Sequence, residues 1–125
     1  MKYLCLVYGE EKTLDAMSAA ELQALIDEHL DYDDALRRSG HFIVAEALES
    51  VQAATTVRVR NGRLSVTDGP FAETKEQLTG FYVVEARDLN DAIQVASRVP
   101  TARIGSIEVR PIWELEHSGR QDSRT

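Results

Sequence analysis

Between Ser18 and Gly40 the chain carries both a helix start signal and a helix stop signal, and no other stretch restricts the fold as much. Ser18 followed three residues later by Glu21 is the capping-box pattern, in which each side chain satisfies a backbone amide of the first turn. Leu22, Leu25, Ile26, His29, Leu30 and Leu36 recur at helical spacing, while Asp27, Glu28, Asp31, Asp34 and Arg37 take the other side. Gly40 suits the left-handed residue on which helices end. A long helix with one apolar stripe must lie on something, and the flanking sequence supplies strands.

Residues 3–8 (YLCLVY) form a short, nearly continuous apolar run ended by Gly9, the pattern of a strand covered on both faces. A second strand is expected over 41–47, then a polar, small-residue connection over 50–54. Val57 and Val59 alternate with Thr56, Arg58 and Arg60; Leu64 and Val66 alternate with Arg63, Ser65 and Thr67. Asn61-Gly62 sits between them, the strongest short-range signal for a hairpin with a two-residue turn. One face of this hairpin is apolar, and the other, with its arginines, is expected to face outward. A strand over 81–85 follows. Asp88 then caps a second helix with Leu89, Ala92, Ile93, Ala96 and Val99 as its apolar positions, stopped by Pro100. After a connection over 101–105, a last strand spans 106–113, where Pro111 favours an edge or a bulge.

With the hairpin set aside, the order is β-α-β-β-α-β, a ferredoxin-like α+β fold. Two helices on one face of such a sheet leave the other face bare. A second copy of the chain is the simplest cover, so a homodimer is expected. The 125 residues read as one domain over 1–115, with a loose polar tail over 116–125. An apolar fraction of 43% and a charged fraction of 28% are ordinary for a globular chain. A net charge of −7 opposes nucleic-acid binding, which needs a basic footprint. The one cysteine, Cys5, lies in an apolar strand pattern and reads as a buried thiol in a reducing compartment. No run approaches the roughly 20 apolar residues of a membrane helix, and the N-terminal run is too short for a signal peptide. The expectation is a soluble, cytoplasmic protein that contacts no membrane.

The stretch 67–82 is unusual. Asp68, Gly69 and Pro70 make a turn, and Glu73, Lys75, Glu76 and Gln77 then lie between the aromatics Phe71 and Phe81. This reads as a shaped loop of about a dozen residues, longer than most connections. The run DGPFAETKEQLTGFYVVEARDLNDAI, with MKYLCLVYG at the start and IGSIEVRPI near the end, closely resembles the DGPF-type branch of the YCII-related family. The likeness reaches from the N-terminus to about Trp113. It implies a dimeric α+β barrel, two sheets facing one another across a homodimer. It also implies a regulatory context, since DGPF-type proteins are often encoded with, or fused to, extracytoplasmic-function sigma factors.

His29 lies on the apolar stripe of the first helix, so it points inward and needs a hydrogen-bonding partner; Asp33, one turn on, is on the same face. The residue reads either as a satisfied core histidine or as an acid–base group. The resemblance implies the second, because YCII-related proteins carry a proposed histidine–aspartate site and His29 occupies the matching place. Asp68 reads either as a turn former or as the carboxylate that faces His29 and orients its ring. Lys75, Glu73 and Arg103 read either as solvated surface charges or as a charged group whose cations suit an anionic substrate. Phe71 and Tyr82 are aromatics that could line a pocket or fill the core. The other YCII branch has an Asp-Pro pair after its second helix; here the stretch reads Val99-Pro100, so a site built on that aspartate does not transfer.

No phosphate-binding glycine loop, dinucleotide fingerprint, nucleophile elbow or metal-ligand spacing is present, so neither cofactor nor metal is expected. Three functions remain open. One is a small enzyme in which His29, with Asp68 or Asp33, moves a proton on an organic substrate. The second is a module that binds a small molecule. The third is a regulatory or interaction protein linked indirectly to a sigma factor.

Overall fold

The computed structural model describes residues 1–118. Six strands and three helices follow in the order β1 (Lys2–Gly9), α1 (Glu11–Asp15), α2 (Ala19–Ser39), β2 (Phe42–Ala47), β3 (Thr55–Arg60), β4 (Arg63–Asp68), β5 (Gln77–Glu85), α3 (Leu89–Ser97) and β6 (Ser106–Pro111). Four strands form one antiparallel sheet in the order β2-β5-β1-β6, and β3-β4 form a separate two-stranded sheet. This is the ferredoxin-like arrangement with an inserted hairpin. Both long helices cover one face of the sheet.

The local signals work as chemistry dictates. Ser18 Oγ accepts from the Glu21 amide and Glu21 Oε1 accepts from the Ser18 amide, closing the capping box. Gly40 ends α2 at φ 80°, a conformation that favours glycine. Asn61 and Gly62 turn the hairpin at φ 51° and 74°, the positive pair that a two-residue turn needs to match strand twist. Asp88 caps α3 by accepting from the Asp91 amide. Pro111 lies in β6, an edge strand. Asp91 in turn accepts from the Arg87 amide and bonds His41 Nε2 at 3.1 Å, tying α3 to the start of β2.

Four expectations change in detail, and one short helix is new. β1 is covered on one face only: Tyr3, Cys5 and Val7 are buried beneath the helices, while Leu4, Leu6 and Tyr8 stay half-buried on the bare face. β5 begins at Gln77, because pairing to β1 continues past a bulge as far as Gly9, so the loop after the hairpin is shorter than expected. β6 ends at Pro111, and Trp113 is exposed. The 101–105 connection opens with a tight turn, Pro100–Arg103. The short helix α1, whose five residues show no periodicity, is pinned by its first residue: Glu11 accepts from the Val51 amide and the Ser50 hydroxyl. The tail expected over 116–125 falls mostly at 119–125, outside the described residues.

The core lies between the sheet and the helices: Tyr3, Cys5, Val7, Tyr82 and Val84 meet Leu36, Ala92, Val95 and Val99. Tyr32 links the helices by donating to the Val95 carbonyl at 2.6 Å, and burial pushes its phenol up to about 12. Cys5 has no exposed surface, and burial pushes its thiol up to about 11. The thiolate is the reactive form, so Cys5 is expected to resist a thiol reagent at neutral pH in the native protein and to label rapidly in denaturant. Comparable labelling rates in the two states would contradict this.

One feature of α2 shapes the site. Leu36, near its C-terminus, is 3% exposed, but Ile26 and Leu30 on the same stripe are 41% and 56% exposed. Beside these two residues a pocket opens between α2 and the sheet.

Candidate functional site

The pocket holds about 340 Å³ between α2 and the β2–β5 side of the sheet. Val7, Ile26, Leu30, Ala45 and Ala47 give it apolar walls, and His29, Asp33, Tyr82 and Thr101 converge in it. Three elements place these groups. His29 and Asp33 project from α2 one turn apart, Tyr82 comes from the middle of β5, and Thr101 from the turn after α3. Gly80 lets β2 approach closely at the pocket edge, since a Cβ there would stand 2.8 Å from the Glu46 carbonyl oxygen.

His29 is held at both ring nitrogens. Nδ1 lies 2.9 Å from the Tyr82 hydroxyl and Nε2 lies 2.8 Å from Thr101 Oγ1. A neutral imidazole has one donor and one acceptor nitrogen, and each hydroxyl can take either role, so the pair satisfies the neutral ring fully. The ring also stacks near Tyr82, with centroids 6.5 Å apart. Burial lowers the His29 pKa; Asp33 and Glu28 pull it back up in part, and Arg103 adds to the lowering. His29 is thus an uncharged base at neutral pH.

Asp33 is placed differently. Its Oδ1 is closed off from solvent and has no hydrogen-bond partner. Burial raises the carboxyl's pKa, and the Tyr82 hydroxyl works against that by favouring the carboxylate. Tyr82 is 4% exposed, and burial together with the Asp33 charge holds its phenol well above the ordinary range. The constellation is therefore a chain, with Thr101 and Tyr82 on either side of His29 and Asp33 beside Tyr82. It can hold or pass a proton.

Of the residues singled out in the sequence, His29, Asp33 and Tyr82 meet here, whereas Asp68, Phe71, Glu73, Lys75 and Arg103 do not line this pocket. Asp68 pairs with Thr55 at the base of the hairpin and lines a different depression, with Glu73, Gly69 and Pro70. The hairpin leaves the sheet edge as an independent pair of strands, which carries Asp68 away from His29 within the chain. The carboxylates that act on His29 are Asp33 and Glu28. Asp33 acts through charge, since hydroxyls occupy both ring nitrogens. Phe71 is 79% exposed, with the Arg58 guanidinium 5.5 Å from its ring centre. Lys75 is exposed and lies 3.8 Å from Glu10. Arg103 is paired to Glu28 at 2.9 Å. None of these three lines the His29 pocket. Thr101 carried no signal in the sequence: a lone threonine after Pro100 looks like connection, and only the tertiary fold brings it to His29.

Among the described residues no three histidine, cysteine or acidic side chains gather as a metal site, and no helix is long and apolar enough to cross a membrane. The sequence model of the YCII-related domain matches residues 1–116. An uncharacterised protein of Rhizobium meliloti (strain 1021) is 35% identical over 114 residues, covering 90% of this chain and 92% of the relative. With matches of that extent over the whole α+β fold, the chain belongs to the YCII-related family.

Proposed function

We propose that this protein binds a small organic molecule in the pocket under α2, as a homodimer, and that His29, Tyr82 and Asp33 serve cofactor-free proton transfer on it. The observation that carries the reading is a pocket with apolar walls that is lined also by His29, Asp33, Tyr82 and Thr101. Apolar enclosure with a few convergent polar groups of shifted proton affinity is the usual make-up of a ligand site. Dimerisation is supported by the bare face of the sheet, where Leu4, Leu6, Phe81 and Val83 are cross-strand partners and remain half-buried.

A panel of small organic molecules, scored by thermal shift, tests the pocket against the variant Ile26→Trp, whose larger side chain fills it. Ligands that stabilise the native protein and lose that effect in the variant support the reading, since a ligand at 100 times its Kd adds about 2.7 kcal/mol. Equal stabilisation of both proteins, or of neither, contradicts it.

One observation favours a second reading, a regulatory or interaction protein. The hairpin exposes Val57, Val59, Leu64 and Val66 at 59–67%, and its strands pair these residues on one face. Exposed aliphatics clustered in this way mark contact surfaces. Replacing Val57 and Val66 by serine is then expected to abolish a partner interaction while leaving ligand binding intact.

A further inference from the structure

At the other end of α2 from the pocket, a second group of polar side chains comes together in an open depression of about 480 Å³. Ser39 closes the helix, His41 follows the Gly40 turn, and Asp91 lies in the first turn of α3. Ser39 Oγ stands 2.7 Å from His41 Nδ1, and His41 Nε2 stands 3.1 and 3.2 Å from the two Asp91 carboxylate oxygens. With the ring neutral, the hydrogens of this row have one arrangement. The Arg87 amide, aided by His41, holds the Asp91 carboxyl below the ordinary range against the effect of burial. A carboxylate only accepts, so Nε2 carries the ring hydrogen and Nδ1 is left as the acceptor. Ser39 Oγ also lies 3.1 Å from the Leu36 carbonyl, but that oxygen already accepts from the His41 amide at 3.0 Å. The hydroxyl hydrogen therefore goes to Nδ1, at the shorter distance. Ser39 is exposed and the His41 side chain is 22% exposed, so a molecule in solution reaches both.

A hydroxyl whose hydrogen is held by an oriented neutral imidazole is an activated nucleophile, and a serine, histidine and aspartate so arranged are recognised by geometry, not by chain order. We propose that Ser39, His41 and Asp91 form a second site, which cleaves small uncharged carboxylic esters through an acyl-serine. Ser39 Oγ bonds to the ester carbonyl carbon as its proton passes to His41 Nδ1, and the carbonyl electron pair moves onto oxygen. When that pair returns, the bond to the alkoxide breaks and the alkoxide leaves with the proton from Nδ1. Water adds to the acyl-serine by the same route, releasing the carboxylic acid and restoring the hydroxyl. Asp91 touches no reacting atom; it is a positioning residue that fixes the ring tautomer. Arg87, its side chain 86% exposed, brings to the same depression the cation that a developing oxyanion needs. Glu85 and Asp91 line the depression too and disfavour an anionic ester, while its openness suits a small acyl group. The two sites share no lining residue, so each stands without the other.

The full-length protein is incubated with a fluorophosphonate, which marks activated serines, and the adduct is located by peptide mass spectrometry. Ser39 is expected to label at least about 100-fold faster than any other serine, the value of a positioned general base. His41→Gln should remove about that factor, and turnover of p-nitrophenyl acetate should fall with it and in Ser39→Ala. Asp91→Asn separates positioning from packing. Asp91 Oδ2 accepts from the Arg87 amide, so in that variant the side-chain nitrogen takes the Oδ1 place and donates to Nε2. The ring hydrogen then moves to Nδ1, which cannot take the Ser39 proton. Slower labelling should therefore come with an exchange of the two His41 ring-nitrogen signals in NMR, which a loss of packing alone would not produce. Absence of a Ser39 adduct in the native protein overturns the proposal whether or not the variants fold. A Ser39 labelling rate unchanged in His41→Gln or Asp91→Asn overturns it as well. Neither result bears on the pocket beneath α2.

Discussion

Gly105→Ala is expected to cost about 3 kcal/mol of stability and to lower the melting temperature by about 10 °C. A Cβ at this position would stand 2.0 Å from the Tyr8 carbonyl oxygen and 3.2 Å from the Gly9 Cα. Both are backbone atoms of β1, a strand paired on both sides, so neither can move without breaking sheet pairing. The strain would be relieved by pushing the segment before β6 outward, and Thr101 belongs to the turn just ahead of it. The His29–Thr101 bond should therefore weaken with the fold. Gly9→Ala is the control, since its Cβ would meet the Thr101 Cγ2 at 3.5 Å and the Thr79 Cγ2 at 4.0 Å, both ordinary contacts. Denaturant melts of both variants check this. Equal stabilities would mean that the approach of residue 105 to β1 is not as close as described.

Tyr82→Phe carries the second large effect, about 1–3 kcal/mol at neutral pH. The ring stays in the core, edge-on to Tyr32 with centroids 6.3 Å apart, so packing changes little. The hydroxyl is what is lost: His29 Nδ1 loses its 2.9 Å partner, and Asp33 loses the group that favours its carboxylate. The pH dependence has a definite sign. Because burial raises the folded-state pKa of Asp33, its contribution to stability is full below the ordinary carboxylate value and is lost as pH rises through the folded value. Without the Tyr82 hydroxyl the folded value rises further, so the variant is penalised more at neutral pH than in acid, where Asp33 is protonated in either protein. A cost independent of pH would assign Tyr82 a packing role alone.

The sequence carries the fold through local chemistry. Ser18 and Glu21, Gly40, Asn61-Gly62 and Asp88 each satisfy or turn the backbone within a few residues of themselves, and each is found where its pattern places it. The inward placement of His29 is legible for the same reason, since helical spacing fixes a face. What faces it is not legible. Tyr82 and Thr101 lie 53 and 72 residues away, and no periodicity records a pairing made by the closing of the sheet. Asp68 misleads because its turn motif is clear while the direction taken by the hairpin is a tertiary choice. The pocket is equally hidden: Ile26 and Leu30 read as core, yet in the fold they are exposed and form pocket wall.

At the heart of the site His29 is a neutral, half-buried imidazole influenced by Asp33. An NMR pH titration of its ring protons, assigned with His29→Gln and repeated in Asp33→Asn and Asp68→Asn, tests it most directly. The predicted midpoint lies below the ordinary histidine value, because burial disfavours the charged ring. Asp33→Asn should lower it further, since the lost carboxylate had favoured the imidazolium, and Asp68→Asn should leave it in place. A midpoint at or above the ordinary value, or one that moves with Asp68 and ignores Asp33, would contradict the account.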